Sequence, residues 1–185
     1  MHNQFAFTAG RTGTWRISSI DAVRGAGLEP AAGLDITDLS ATPLVREQGS
    51  APAWVLLGTV SNVRYATRPE LTEMRAKQEG LGRPNARRAA LIPIKKSAAW
   101  WDLAQDERRA IFEETSHHTA IGMEYLPAVA RKLFHSRDIG EPFDFLTWFE
   151  FAADDAAAFE HMVGRLRATR EWTYVEREVD IRLER

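Results

Sequence analysis

The stretch FDFLTWFEF at 143–151 constrains this chain more than any other. Read as a strand, it points Phe143, Phe145, Thr147, Phe149 and Phe151 one way, and Asp144, Leu146, Trp148 and Glu150 the other. A second alternating stretch covers 173–183. There Val175, Val179, Ile181 and Leu183 share a face, and Glu176, Glu178, Asp180 and Arg182 share its reverse. Between the two, Phe159, Met162, Val163 and Leu166 recur at i, i+3, i+4 and i+7, one face of a helix capped by Asp154 or Asp155.

The elements upstream follow the same logic. Residues 89–94 read as a strand, and Ser97 N-caps a helix over 98–104. Asp106 begins a second helical segment holding Ala110, Ile111 and Phe112, and Gly122 interrupts the pattern that follows. Pro127 suits the first turn of a further helix carrying Val129, Ala130, Leu133 and Phe134. Gly140, Glu141 and Pro142 end that block. The second half thus reads strand, helices, strand, helix, strand, the order of a ferredoxin-like α+β unit with its helices on one face of an antiparallel sheet.

The first half is a degenerate echo of this order. Phe5 and Phe7 alternate, Gly10 and Gly13 mark a turn, and Trp15 and Ile17 follow on a second strand. The Gly-, Pro- and Ala-rich stretch 25–49 reads as a loop. Residues 53–60 form a strand-length apolar run, and 69–78 a helix starting near Thr67 and ending near Gly80. Gly80, Gly82 and Pro84 then break the pattern. The expected division is 1–88, a degenerate ferredoxin-like half, and 89–185, a ferredoxin-like half with the clearer pattern.

Composition narrows the chemistry. With 26 acids against 24 bases the formal charge is −2, too weak a field to hold a nucleic acid. No apolar run approaches the ~18 residues of a membrane span. The absence of cysteine excludes disulfides, thiolate ligands, iron–sulfur clusters and thiol nucleophiles. The first residues carry no basic segment followed by an apolar run, so the expected location is cytoplasmic. Six Trp and nine Phe supply flat apolar surface, suited to a large flat ligand or to an ordinary core.

Of the five histidines, His2 lies at the N-terminal end, His135 precedes a loop, and His161 reads as a surface residue of its helix. His117 and His118 are adjacent; on a helix they diverge by ~100°, so only one serves a given pocket. The pair reads either as a half-buried structural pair or as a metal ligand. No HExxH motif is present, and no histidine follows either at i+4, so a zinc site is poorly supported. One histidine among aromatics fits haem ligation better. Taken alone, Arg131 reads as a solvated helix residue, Lys95 and Lys96 as a surface cap at a strand end, and Glu171 as a surface acid. The break at Gly122 and Pro127 also allows His118 and Arg131 to approach a flat ligand from opposite sides.

Residues 89–183 resemble the chlorite dismutase family. The likeness is carried by ALIPIKKSAAWW at 90–101, SHHTAIGMEYLPAVARKLFHSRD at 116–138, EPFDFLTWFEF at 141–151 and LRATREWTYVEREVDIRL at 166–183. The short N-terminal half is similar to the compact, dimeric branch of that family. The resemblance implies two ferredoxin-like halves forming a dimeric α+β barrel-type fold, a homodimer, and haem b (iron protoporphyrin IX) in the C-terminal half.

Carried over residue by residue, the resemblance makes His118 the proximal iron ligand and Glu171 the carboxylate on that ligand's far nitrogen. Lys96 is the basic residue of the same network, and Trp100 packs near the haem. Thr147 and Phe149 line the distal cavity, and Arg131 is the distal, catalytic arginine. Tyr65 and Gln78 fall near positions that influence that arginine and the haem edge. The implied reaction turns chlorite into chloride and dioxygen through a ferryl haem and hypochlorite that must stay close to it. The alternatives are a coprohaem decarboxylase, against which Arg131 weighs, a peroxidase-like haem protein of the same fold, and a non-enzymatic dimeric interaction protein.

Overall fold

The aromatic alternation becomes a strand with work on both faces. In the computed structural model, which describes residues 4–41, 51–60 and 65–185, this strand is β7 (Phe145–Phe151). Phe145, Phe149 and Phe151 pack beneath helices, whereas Leu146 and Trp148 fill the inside of a barrel. The other strands of the second half are β5 (Arg88–Lys96), β6 (Ala130–His135) and β8 (Val175–Glu184). The first half supplies β1 (Gln4–Gly10), β2 (Trp15–Arg24), β3 (Gly33–Asp38) and β4 (Trp54–Val60).

These strands close one antiparallel barrel in the order β1-β3-β2-β8-β5-β7-β6-β4, with β4 returning to β1. Each run of four consecutive strands has the same lateral order: fourth, first, third, second. Closure leaves no free sheet edge among the described strands. Phe7, Trp15, Leu91, Phe134, Trp148 and Ile181 meet inside the barrel. Each such large apolar side chain contributes roughly 1.5–3 kcal/mol on burial.

The helices are α1 (Arg68–Lys77), α2 (Ala98–Asp102), α3 (Gln105–Arg109), α4 (His118–Glu124) and α5 (Ala156–Arg167). The predicted face of α5 is the buried one: Phe159, Met162, Val163 and Leu166 cover the outer side of β7. At the head of α1 the Thr67 N–H donates to Glu70 Oε2 at 2.6 Å. Glu70 also takes a two-pronged ion pair from Arg109, at 2.8 and 3.0 Å. α1 is thereby tied to α3.

Several expectations give way. The helix expected after Pro127 is the strand β6, so Arg131 stands on a strand and not on a solvated helix. Its apolar residues are spaced helically because both faces are occupied: Phe134 enters the barrel, and Leu133 packs under the helices. Six-residue pairing with β7 and closure against β4 override local preference. The loop expected at 25–49 contains β3, held by pairing with β1; residues 42–49 and His2 lie outside the described residues.

Smaller differences have local causes. The helix begun at Ser97 stops at Asp102, and the segment expected from Asp106 continues past α3 as a π-helical turn, Ala110–Thr115. Gly122 lies within α4 rather than breaking it. Phe143 joins the barrel core, because Asp144 accepts hydrogen bonds from the Lys96 N–H and Trp101 Nε1 and the chain bends before β7. On β8, one step along β5 from Lys95 to Lys96 spans two residues, Arg177 to Val175. This bulge moves Val175 to the helix-covered side, away from Val179.

Where β4 closes on β6, Gly58 sits against Phe134. A Cβ at residue 58 would lie 2.7 Å from that of Phe134.

Candidate functional site

On β5 the alternation Ala90, Ile92, Ile94, Lys96 points toward the helices, and it ends on a lysine that is only 2% exposed. Lys96 is therefore no surface cap. Its Nζ donates to Glu171 Oε1 at 2.7 Å, 4.7 Å from the Trp100 ring centroid and 5.4 Å from that of Trp172. Lys95, one residue before, faces outward to Glu176.

Glu171 opens a 3-10 turn and is buried, not a surface acid. Its N–H donates to Ser116 Oγ at 2.9 Å. Burial pushes its carboxyl pKa up, but the hydrogen bonds and electrostatic attraction of His118 and Lys96 outweigh that and hold it at about 2. The group is thus an ionised, accept-only carboxylate at neutral pH.

His118 is the first residue of α4. Its Nδ1 lies 2.6 Å from Glu171 Oε2. Because Glu171 only accepts, Nδ1 carries a proton, and the tautomer this selects has its lone pair on Nε2. Phe112 stacks on the imidazole at 4.3 Å with a 20° interplanar angle, and Trp172 lies beyond at 6.4 Å. His117 has a left-handed backbone (φ 52°) and an exposed side chain, so one member of the pair serves the site.

Arg131 comes from β6. Its Nη2 lies 3.5 Å from Met74 Sδ of α1, and its carbonyl accepts from Gln78 Nε2 at 3.0 Å. Among the described residues no carboxylate pairs with its guanidinium. Burial pushes its pKa down and the charge of Glu113 offsets this in part; a guanidinium is so strong a base that the group stays charged. Gly122, one turn after His118 on α4, faces Arg131: a Cβ there would lie 3.9 Å from Arg131 Cζ, at ordinary contact distance.

These groups line one cavity of about 250 Å³ between the outer sheet face and the helices. His118, Lys96, Glu171, Trp100, Arg131, Thr147 and Phe149 all border it, as do Tyr65 and Gln78. Ile92, Ile94, Phe145, Val163 and Leu166 make its walls apolar. Among the described residues His118 is the only histidine on it; His161 is exposed and bonds the Tyr125 hydroxyl, and His135 ends β6 inside the sheet. Phe112, Met74 and Trp172 also border it, and nothing in their spacing singled them out; their position depends on the π-turn, on α1 and on the 3-10 turn.

Two ferredoxin-like runs of strands closed into a barrel, with an apolar cavity bordered by the His118 ring and by an Arg131 guanidinium that no carboxylate pairs among the described residues, define an α+β barrel with a candidate ligand site. Residues 36–183 match the family model described as Chlorite dismutase, and the chain belongs to that family of enzymes. A curated relative, the chlorite dismutase of Ideonella dechloratans, is 36% identical over 86 residues, which are 46% of this chain and 28% of that one. The matched segment thus spans under a third of that relative. A dimeric chlorite dismutase from Nitrobacter winogradskyi superposes with a TM-score of 0.88 at 55% identity, covering 98% of this chain and 99% of that one. A mutant chlorite dismutase from Candidatus Nitrospira defluvii shares the fold, with a TM-score of 0.68 at 22% identity over 100% of this chain and 92% of that one.

Proposed function

We propose that this protein binds haem b in the described cavity and decomposes chlorite to chloride and dioxygen. The observation that carries the reading is the imidazole of His118, whose Nδ1 is held by Glu171 at 2.6 Å and whose Nε2 is left to bind iron. The cavity suits the cofactor in two further ways. Its walls are apolar, and the Nε1 of Trp100, a residue only 1% exposed, has no hydrogen-bond partner among the described residues. A buried N–H of this kind needs an acceptor, which a haem carboxylate supplies.

Haem b, held by His118 with Trp100 beside it, would supply redox-active iron for oxygen-atom transfer from chlorite. The rest falls to the chain. Glu171 keeps the proton on Nδ1, which raises the basicity of Nε2, and Lys96 keeps Glu171 in place and ionised. Arg131 binds the small anion, and also the hypochlorite left after the first oxygen is removed. Each of its charge-assisted hydrogen bonds contributes roughly 1.5–3 kcal/mol. Holding without deprotonating is what the reaction asks, and a guanidinium is no general base. Thr147 and Phe149 wall the cavity against water. A peroxidase-type reading lacks support, because no second histidine lines the cavity among the described residues to move a proton.

We read the chain as two units, 1–88 and 89–185, with the haem in the second. Its likeness to the dimeric Nitrobacter winogradskyi protein supports a homodimer. We place it in the cytoplasm; no helix among the described residues is long and apolar enough to cross a membrane.

The test adds ferric haem b to purified protein, then chlorite in an oxygen electrode. A Soret band at one haem per chain and prompt oxygen release are expected. Haem uptake without oxygen release would reject the chlorite activity, and no uptake would reject the cofactor.

A further inference from the structure

We propose that Glu113 is a positioning residue for His118, an inference that rests on the ligand role given to His118 above. Three backbone groups around His118 converge on this one residue. The carbonyl of Glu113 accepts the N–H of His117 at 2.9 Å. Its carboxylate accepts the N–H of Thr119 on Oε2 at 2.6 Å and that of Ala120 on Oε1 at 3.2 Å. The residue before His118 and the two after it are therefore anchored to the same place.

The arrangement replaces an ordinary helix cap. Thr119 and Ala120 are the second and third residues of α4, whose N–H groups a cap side chain at residue 117 would normally satisfy. His117 makes no such bond. Thr119 is 1% exposed, so water cannot take over. Glu113, itself 8% exposed, fills the role from the π-helical turn. The same turn sets Phe112 against the His118 ring, and Ser116, just after it, receives the Glu171 N–H. One short segment thus places the imidazole and docks the acid that holds it.

Glu113 is not a catalytic residue in this account; it acts through the placement of His118 and the short contact to Glu171. Loss of the carboxylate frees the first turn of α4, and the Nδ1 hydrogen bond weakens with it.

The test begins with 15N-labelled, haem-free protein. In the wild type, the His118 Nδ1–H gives a downfield, slowly exchanging resonance. Glu113→Ala removes or broadens it, whereas Glu113→Gln, which keeps one acceptor oxygen, retains it at reduced protection. Titration with haem b then gives a dissociation constant about 10-fold or more higher for Glu113→Ala, the usual scale for outer-sphere changes at a metal ligand, and the Gln variant falls between. Should the Ala variant fail to fold by circular dichroism, the Gln variant decides on the same two readouts. A wild-type Nδ1–H resonance and haem affinity in a folded variant, with only the Thr119 and Ala120 amides losing protection, would reduce Glu113 to a helix cap and overturn the proposal. If wild-type protein takes up no haem while the resonance still vanishes in the variant, positioning stands and the haem reading falls.

Discussion

Oε2 of Glu171 lies 2.6 Å from Nδ1 of His118, across 53 residues of chain. The other oxygen of the same carboxylate receives Lys96 Nζ at 2.7 Å, so one buried acid orients two nitrogen donors from different elements. The contact decides the tautomer of the ring. It also decides the electron richness of the nitrogen left facing the cavity.

Replacing Glu171 by Gln keeps the shape and removes the charge. Haem potential is expected to rise, because His118 donates less to iron, and haem affinity to fall by roughly 10-fold. Spectroelectrochemistry with a haem titration measures both; a potential that holds steady or drops would contradict the pairing.

Arg131→Ala removes the anion holder while leaving β6 paired. Loss of one charge-assisted bond predicts a decrease in kcat/KM of about 10- to 100-fold. Hypochlorite is expected to leak, so a chlorination-sensitive scavenger should trap it and the enzyme should bleach after fewer turnovers. Unchanged total turnover with nothing trapped would remove Arg131 from this role.

Glu70 gives the fold an acid-sensitive tie. The Arg109 guanidinium and the Thr67 N–H hold its carboxyl at about 2 instead of 4.5. A carboxyl lowered on folding stabilises above its unfolded value, and that contribution fades as pH drops from about 4.5 toward 2. With the side chain about a quarter exposed, ~1 kcal/mol is expected. Urea midpoints of wild type and Glu70→Gln should differ at pH 7 and converge near pH 2; a gap independent of pH would assign the effect elsewhere.

Gly58→Ala tests barrel closure. The new methyl meets the Phe134 Cβ at 2.7 Å, which forces β4 and β6 apart at a cost of about 1–3 kcal/mol. Gly80→Ala, with nothing within 4 Å of the added atom, is expected to melt with the wild type. Equal melting of the two variants would mean that the β4–β6 seam yields freely.

Elements with a clean period were legible in the residues. The burial of α5 by Phe159, Met162, Val163 and Leu166 follows its spacing, and β7 follows its alternation. β6 was not legible, because Phe134 and Leu133 are buried on opposite sides and leave no two-residue contrast. β3 was hidden by its Gly33 start and its half-exposed end, and owes its state to β1. The residues bordering the cavity came from family likeness; bare spacing left Lys96, Glu171 and Arg131 looking like surface charges.

The amino-acid order by itself determined which segments are amphipathic and which chemistries are open. Without cysteine, and with one adjacent histidine pair, the chain offers imidazole, carboxylate and guanidinium as its site chemistry. Only the tertiary structure decided which of those groups are buried together. Lys96 meets Glu171 across 75 residues, and Glu171 meets His118 across 53. Local periodicity records whether a face is apolar, but the charge state and orientation of a polar group depend on what is packed against it, and those partners come from distant parts of the chain.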